Sequence, residues 1–263
     1  MSNNNAALGN AVTGAKLCAL CQLPKILKKS HIVPEFMYQG MYDSKHRFLS
    51  ISRDVSDRPR MHQKGFYEPL LCGDCEEKFS RYEGYAANVF YNNGAPSSTI
   101  EGSFITLRSV DYKKLKLFFL SLLWRFSVTT LNELKGASIG KHSEKLRMML
   151  KSEDPGKELE YPFLLTAVMW QGNHIGDFIA PPMCAKLDAH HIWSFVVAGI
   201  VMSFYVSSHP QTHIPKEAFL DLAGTLRIDR KEITKIPYLH KFASEIQGAN
   251  RARNLQLSAS QAP

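Results

Sequence analysis

The chain has 263 residues, 44% hydrophobic and 11% aromatic, which is enough to bury a core and excludes a chain disordered throughout. Its 32 Lys and Arg residues exceed its 24 Asp and Glu residues, giving a formal net charge of +8. This charge favours anionic partners, of which nucleic acid is the commonest, and the alternative is a basic protein without such a partner.

The N-terminal stretch lacks the features of a signal peptide. Residues 1–15 have no apolar segment behind a basic start, so we interpret them as a disordered leader. The longest apolar run, 192–206, is shorter than the about 20 residues that cross a membrane, and its Val and Phe content predicts buried strand. We therefore expect a cytoplasmic protein without a membrane span.

Four of the five cysteines form two Cys-x-x-Cys pairs, Cys18 with Cys21 and Cys72 with Cys75. Disulfides are rare in the cytoplasm, and four thiolates are what a tetrahedral structural zinc site requires. The pattern therefore predicts bound Zn²⁺, against the alternative of reduced cysteines that pair in sequence by chance. The fifth, Cys184, is predicted to be a small buried apolar residue.

Hydrophobic periodicity predicts three helices in the first part of the chain. One begins at about Cys72 to Cys75 and ends at the turn-forming residues 92–98. A second, at 111–130, is apolar nearly all round and must lie at the centre of a core. The third, at 141–153, ends at Asp-Pro-Gly.

Beyond these helices the pattern changes to strands. Residues 161–206 are rich in β-branched and aromatic residues separated by Gly, Asn and Pro, which predicts three or four strands of an antiparallel sheet. Two short helices close the fold, the second broken at Pro237. We therefore expect an α+β protein with a disordered leader (1–15), a zinc-binding domain (16–95), a body of helix and antiparallel sheet (105–246) and a disordered tail (247–263).

The spacing around the cysteine pairs resembles that of a known family. Cys-x-x-Cys, then Ser-His-Ile-Val-Pro at 30–34, then Leu-Leu-Cys-x-x-Cys entering a helix is similar to the zinc-stapled HNH, or His-Me finger, endonucleases. The stretch LLCGDCEEKFSRYE followed by KLFFLSLLWRFS also resembles a bacterial subgroup described only as HNH-like. The resemblance covers about residues 16–90 and implies a treble-clef ββα finger.

The resemblance implies that His31 is a general base for water attacking a phosphodiester, assisted by Mg²⁺ or Mn²⁺; the unperturbed pKa of histidine, near ~6.5, suits that role. Family members often carry Asp or His just before the base and Asn or His after the second cysteine pair. This chain has Ser30 before the base, and Glu76 and Glu77 after the pair. The glutamates are candidate ligands of the catalytic ion, or an acidic first turn that complements the helix dipole. His31 is alternatively a structural histidine.

The basic linker between the cysteine pairs is predicted to contact the phosphate backbone without reading sequence. Its candidate residues are Arg47, Arg53, Arg58, Arg60 and Lys64. On the central helix, Arg125 is predicted to form a buried ion pair, with a substrate contact as the alternative.

The resemblance therefore implies an HNH-like metal-dependent endonuclease that hydrolyses nucleic acid, DNA in preference to RNA, in bacterial antiviral defence or a mobile element. The competing hypothesis is a catalytically inactive zinc-finger module that binds nucleic acid or a protein partner, including a second copy of the chain. A third is a sensor whose C-terminal body binds a ligand.

Overall fold

The computed structural model describes residues 14–50, 59–91, 97–187, 190–209 and 214–260. The predicted basic residues Arg53 and Arg58, and nearly all of the predicted leader, lie outside these ranges. No helix within them is long and apolar enough to cross a membrane.

The N-terminal part consists of short strands followed by one long helix. Its elements are β1 (Lys16–Leu17), β2 (Pro24–Lys25), β3 (Leu27–His31), a 3-10 helix (Glu35–Met41), β4 (Phe48–Ser50), β5 (Arg60–His62), β6 (Tyr67–Cys72) and α1 (Gly73–Tyr91). Strand β1 pairs with β2, β3 with β6 and β4 with β5, all antiparallel. We call β3, β6 and α1 together the ββα unit. Helix α1 begins within the predicted Cys72 to Cys75 window, which confirms that prediction.

The remaining residues form a sheet with helices against it. The elements are β7 (Ser97–Glu101), β8 (Phe104–Arg108), α2 (Tyr112–Val128), α3 (His142–Ser152), β9 (Phe163–Trp170), β10 (Asn173–His174), β11 (Ala180–Leu187), β12 (His190–Val197), β13 (Ile200–Val206), a 3-10 turn (Lys216–Ala218), β14 (Leu226–Glu232), a second 3-10 turn (Ile233–Lys235) and α4 (Pro237–Ser260). The predicted helices at 111–130 and 141–153 are confirmed as α2 and α3, and the fold is α+β.

The eight-stranded sheet is mixed, which corrects the expectation of an antiparallel one. Its order is β11-β12-β13-β9-β14-β8-β7, with β10 added to β9. All pairs are antiparallel except β14 with β9, where Ile228 lies beside Leu165. Strand β14 is inserted at the centre of the sheet from late in the chain. Its apolar alternation covers only Leu226 and Ile228 and is followed by the charged residues 229–232, so the strand signal in the sequence is short.

Helix α2 lies at the centre of the core, as predicted. Its start is capped by Asp111, whose carboxylate accepts a hydrogen bond from the backbone N–H of Lys114 at 2.9 Å. Its end is followed by Thr129, whose hydroxyl donates to Glu68 of β6 at 2.5 Å. One cluster of buried residues runs from Cys18 to Ile228, so the ββα unit and the sheet share a core across α2.

Helix α4, with 24 residues, is longer than the expected short helix. Pro237 does interrupt the segment, because α4 begins at this residue. The first residues of a helix have no intrahelical hydrogen-bond acceptor for their N–H groups, so the missing N–H of proline costs nothing there. The helix then continues past Gln247 to Ser260. Its Ala, Arg, Gln and Leu residues have high helix propensity, and Ala249 is 5% exposed.

Candidate functional site

The four paired cysteines converge on one point, and we call them the cysteine cluster. Cys18 and Cys21 lie in the turn between β1 and β2, Cys72 ends β6, and Cys75 lies in the first turn of α1. Their four Sγ atoms lie within 4.8 Å of one another, and Cys21 Sγ is 3.9 Å from Cys72 Sγ. Sulfurs on tetrahedral zinc at about 2.3 Å lie about 3.8 Å apart, so the donor set fits Zn²⁺.

The surroundings of the cluster suit bound thiolates. The backbone N–H of Cys72 donates to Cys18 Sγ at 3.3 Å. Burial opposes ionisation of Cys18, but backbone N–H groups of Cys21, Cys72 and Leu20 outweigh it and lower its pKa to about 7. Burial raises the pKa values of Cys21 and Cys75. A shared cation would therefore supply the stabilisation that these two thiolates lack.

Neighbouring elements hold the cluster in place through charged side chains. The Arg147 guanidinium, on α3, donates to the carbonyl oxygen of Leu20 at 2.6 Å. Lys25 of β2 forms an ion pair with Asp74 in the first turn of α1. These contacts join the segment carrying Cys18, Cys21 and Lys25 to two helices, α1 and α3.

His31 ends β3 and faces a carboxylate that the sequence analysis did not single out. Its Nε2 lies 3.2 Å from Glu35 Oε2, and both side chains are partly exposed. The other oxygen of Glu35 accepts a hydrogen bond from the Tyr42 hydroxyl at 2.5 Å. The His31 ring also meets the Tyr67 ring edge to face, with centroids 6.0 Å apart. The four-residue spacing of His31 and Glu35 was the available signal, but the intervening Pro34 obscured it.

Gly65 fixes the position of Glu35 from the opposite side. Its backbone N–H donates to Glu35 Oε2 at 3.3 Å. A Cβ atom at this glycine would lie 2.5 Å from the Tyr38 ring and 2.9 Å from Glu35 Oε2. Only glycine allows this close approach, so the chain around Gly65 is shaped to hold the carboxylate beside His31.

Arg125 contacts the backbone of His31, and the predicted buried ion pair of Arg125 is confirmed. The Arg125 side chain is 3% exposed, and its Nη2 lies 2.6 Å from Glu83 Oε1 on α1. Its Nη1 donates to the backbone carbonyl of His31 at 2.8 Å. Its guanidinium also lies over the Phe79 ring at 5.1 Å. Arg125 of α2 therefore links β3 and α1 through its contacts with His31 and Glu83.

The predicted ligands of a catalytic ion are not assembled around His31. Ser30 is 1% exposed, and its hydroxyl accepts a hydrogen bond from the backbone N–H of Leu71 at 2.9 Å. Glu76 is partly buried, with one carboxylate oxygen lacking a hydrogen-bond partner, and Glu77 is exposed. Within the described ranges, neither glutamate lies within 4 Å of the His31 ring nitrogens, and the cysteine cluster is the one group of three or more ligand side chains. The residues present do not fit Mg²⁺ or Mn²⁺.

A cleft of about 630 Å³ is lined by Tyr67, whose ring contacts His31, although His31 itself does not line it; we call it the His31 cleft. Gly65 and Tyr67, which contact Glu35 and His31, form part of its wall, together with Arg47 and Lys64. Arg47 is held by Asp43 through a bond of 2.9 Å from Nη2 to Oδ2. Two of the five residues predicted to contact phosphate, Arg47 and Lys64, thus line the same cleft.

The remaining predicted site residues are placed apart or lie outside the described ranges. Arg60 is exposed on β5, whereas Arg53 and Arg58 are among the residues not described. Cys184 is partly exposed instead of buried, because its strand β11 is at the edge of the sheet; its Sγ lies 3.5 Å from His191 Nδ1. The structure therefore places Arg47 and Lys64 in the wall of one cleft, and it separates His31 from Glu76 and Glu77.

Comparison with known proteins identifies no relative. No protein-family model, no curated protein and no solved structure matches the chain. The function must therefore be argued from the site itself.

Proposed function

We propose that this protein is a nuclease-like, zinc-stapled ββα protein that binds nucleic acid in the His31 cleft and hydrolyses a phosphodiester bond there. The cysteine cluster would hold Zn²⁺, and the turn, hairpin and helix that carry it correspond to the elements of a treble-clef finger of the HNH type. The position of His31 carries the proposal: it ends the first strand of the hairpin, as the resemblance implies for the base.

The His31 and Glu35 pair gives the proposed base a defined role. If Nε2 donates to Glu35, at the observed 3.2 Å, then Nδ1 is the basic nitrogen. In the proposed step, Nδ1 takes a proton from water as the water oxygen attacks phosphorus, and Glu35 stabilises the imidazolium that forms. The bond between phosphorus and the leaving sugar oxygen breaks, and that oxygen takes a proton from solvent. Tyr42 and Gly65 hold Glu35 in place for this purpose.

Two cationic side chains in the wall of the cleft, which also contains the acidic Glu133, supply the binding part of the proposal. Arg47 and Lys64 line it, and Arg60 lies nearby in sequence on β5. Such side chains contact phosphate groups and position the backbone without specifying base sequence. Bound zinc would fix the position of β3 relative to α1, and so the position of His31 relative to this surface.

A second candidate function is a binding module without catalysis. One observation favours it: Ser30 is buried in a hydrogen bond with Leu71, and Glu76 and Glu77 are not beside His31. A finger of this kind would retain zinc and the His31 cleft while lacking an ion at the phosphate. The two functions share nucleic-acid binding and differ in cleavage.

The test is a cleavage assay with plasmid DNA and end-labelled RNA, with Mg²⁺, with Mn²⁺ and with EDTA. For the nuclease we expect cleavage by the wild type and a loss of about 100-fold or more in His31→Ala, because a general base contributes about 10² to 10⁴. The matched control is His209→Ala, an exposed histidine on another part of the surface.

Glu35→Gln separates orientation from base chemistry, and a smaller loss with an altered pH profile is expected. Cleavage that survives His31→Ala would reject the base assignment. Binding without cleavage by the wild type under all conditions would reject the nuclease in favour of the binding module.

A further inference from the structure

An aromatic pocket of about 220 Å³ lies between the sheet and helices α1 and α2. Four rings form one side of it: Phe90 and Tyr91 from the end of α1, and Phe118 and Phe119 from α2. Aliphatic side chains of β9, β13 and β14 form the opposite side. A cavity of roughly 150 Å³ with apolar walls already accommodates benzene, so this pocket has room for a somewhat larger ring system.

The polar groups in the wall define which ligands suit the pocket. They belong to Tyr91 and His174, and among the residues that the structure describes, none in the wall is Asp, Glu, Lys or Arg. Burial raises the pKa of Tyr91, which therefore stays a neutral hydroxyl. A charged ligand would lose its hydration without gaining an opposite charge, whereas one hydrogen-bonding group could be satisfied.

The turn at the floor of the pocket is built for close packing. Ala198 and Gly199 link β12 to β13 with φ of 51° and 69°. A Cβ atom at Gly199 would lie 1.7 Å from the carbonyl oxygen of Ile175, so only glycine fits there. This contact holds the His174 segment against the turn, which leaves the pocket preformed instead of collapsed.

We infer that the aromatic pocket is a binding site for a small, flat, uncharged molecule with one or two fused rings and a single hydrogen-bonding group. This inference is independent of the proposed function. Met37, which also lines the pocket, belongs to the same 3-10 helix as Glu35. An occupant would therefore contact the segment that holds Glu35 against His31.

The test uses indole as the probe, because it is uncharged, bicyclic and carries one N–H donor. The full chain is labelled with ¹³C at the methionine methyl groups, and spectra are recorded during an indole titration. We expect saturable shifts at Met37 and Met202, which line the pocket, with a dissociation constant of about 0.1 to 1 mM. The exposed Met61 and Met148 serve as internal controls and should not shift.

Two comparisons make the result specific. Indole-3-carboxylate has the same rings with a negative charge and should bind at least about 10-fold more weakly. Ile200→Trp should fill the pocket and abolish the shifts, with circular dichroism confirming that the variant is folded. Absence of saturable shifts at Met37 and Met202 in the wild type, or equal shifts at all methionines, would overturn the inference whether or not the variant folds.

Discussion

The cysteine cluster and the His31 cleft lie at opposite ends of the β3 and β6 pair. The cluster contains all of its predicted metal ligands, whereas the cleft does not. Every donor of the cluster comes from a tight turn or a strand and helix end, and the four sulfurs are already within 4.8 Å of one another. His31 has an orienting carboxylate, and two cationic side chains line the neighbouring cleft, but the expected ion ligands of His31 are missing. A metal centre that holds a fold must be closed, whereas a surface that admits a polymer must stay open.

The largest expected effect comes from opening the cluster. Cys72→Ser removes a buried ligand, so we expect bound zinc to fall from about one equivalent per chain to near zero and the melting temperature to fall by about 10 °C or more. Metal analysis and calorimetry measure both.

Cys184→Ser is the control, because this cysteine lies outside the cluster. It should leave zinc content unchanged and shift the melting temperature by only about 2 °C or less. Equal effects of the two substitutions would show that the cluster is not the metal centre.

The second prediction concerns the link between the two regions. Arg125→Met removes the buried partner of Glu83 and the donor to the His31 carbonyl. Because breaking a buried pair strands a charge, we expect a loss of about 3 to 5 kcal/mol in the free energy of unfolding.

Denaturant titration measures that loss, and Arg81→Ala is its control. Arg81 is 59% exposed in its pair with Glu153, so its removal should cost under about 1 kcal/mol. A cost for Arg125→Met as small as that of the control would contradict the role of Arg125 as a buried support.

The third prediction concerns a buried lysine that neither region uses. Lys116 of α2 is 1% exposed, and burial lowers its pKa to about 7 from 10.5. Between these values the unfolded chain binds more protons than the folded one, so the stability of the wild type rises with pH. The slope for one group is at most about 1.4 kcal/mol per pH unit.

Lys116→Met removes this titration, so the stability of the wild type relative to the variant should increase from pH 7 to pH 10. Lys114→Met is the control on the same helix, because its side chain is 49% exposed. A stability difference between wild type and Lys116→Met that is independent of pH would contradict the lowered pKa of Lys116.

The smallest effect is expected at the rim of the cleft. Lys64→Ala removes one proposed phosphate contact, so affinity for DNA should fall about 2- to 5-fold at moderate salt and the salt slope should decrease by about one. Fluorescence anisotropy measures both. Lys186 is an exposed residue of β11, at the edge of the sheet, and Lys186→Ala should change neither quantity. An equal loss for Lys186→Ala would place binding outside the cleft.

Local patterns in the sequence were sufficient to predict the cysteine cluster and the central helices. Cys-x-x-Cys spacing places two sulfurs in one turn, and the apolar run of α2 leaves no polar face, so each pair and the helix depend on residues close in sequence. The meeting of the two distant pairs followed from the four ligands that a tetrahedral zinc site requires. Strand β14 could not be predicted in the same way, because its pairing with β9 joins residues about sixty positions apart and only two of its residues, Leu226 and Ile228, show apolar alternation.

The carboxylate beside His31 was missed for a related reason. Glu76 and Glu77 stand where the family pattern places ligands, but the helical direction of α1 and the burial of Ser30 are set by tertiary packing. Glu35 reaches His31 only because the chain turns at Pro34 into a 3-10 helix, and because Gly65 leaves room for it. Spacing alone does not reveal such a turn.

The central claim is that the His31 cleft binds nucleic acid through its phosphates. The most direct measurement is an anisotropy titration of a labelled DNA duplex with the wild-type protein between 50 and 300 mM salt. We predict binding whose logarithm falls linearly with the logarithm of salt concentration, with a slope of about −3 to −5 for three to five phosphate contacts. Absence of binding at the lowest salt, or binding that does not change with salt, would contradict the account.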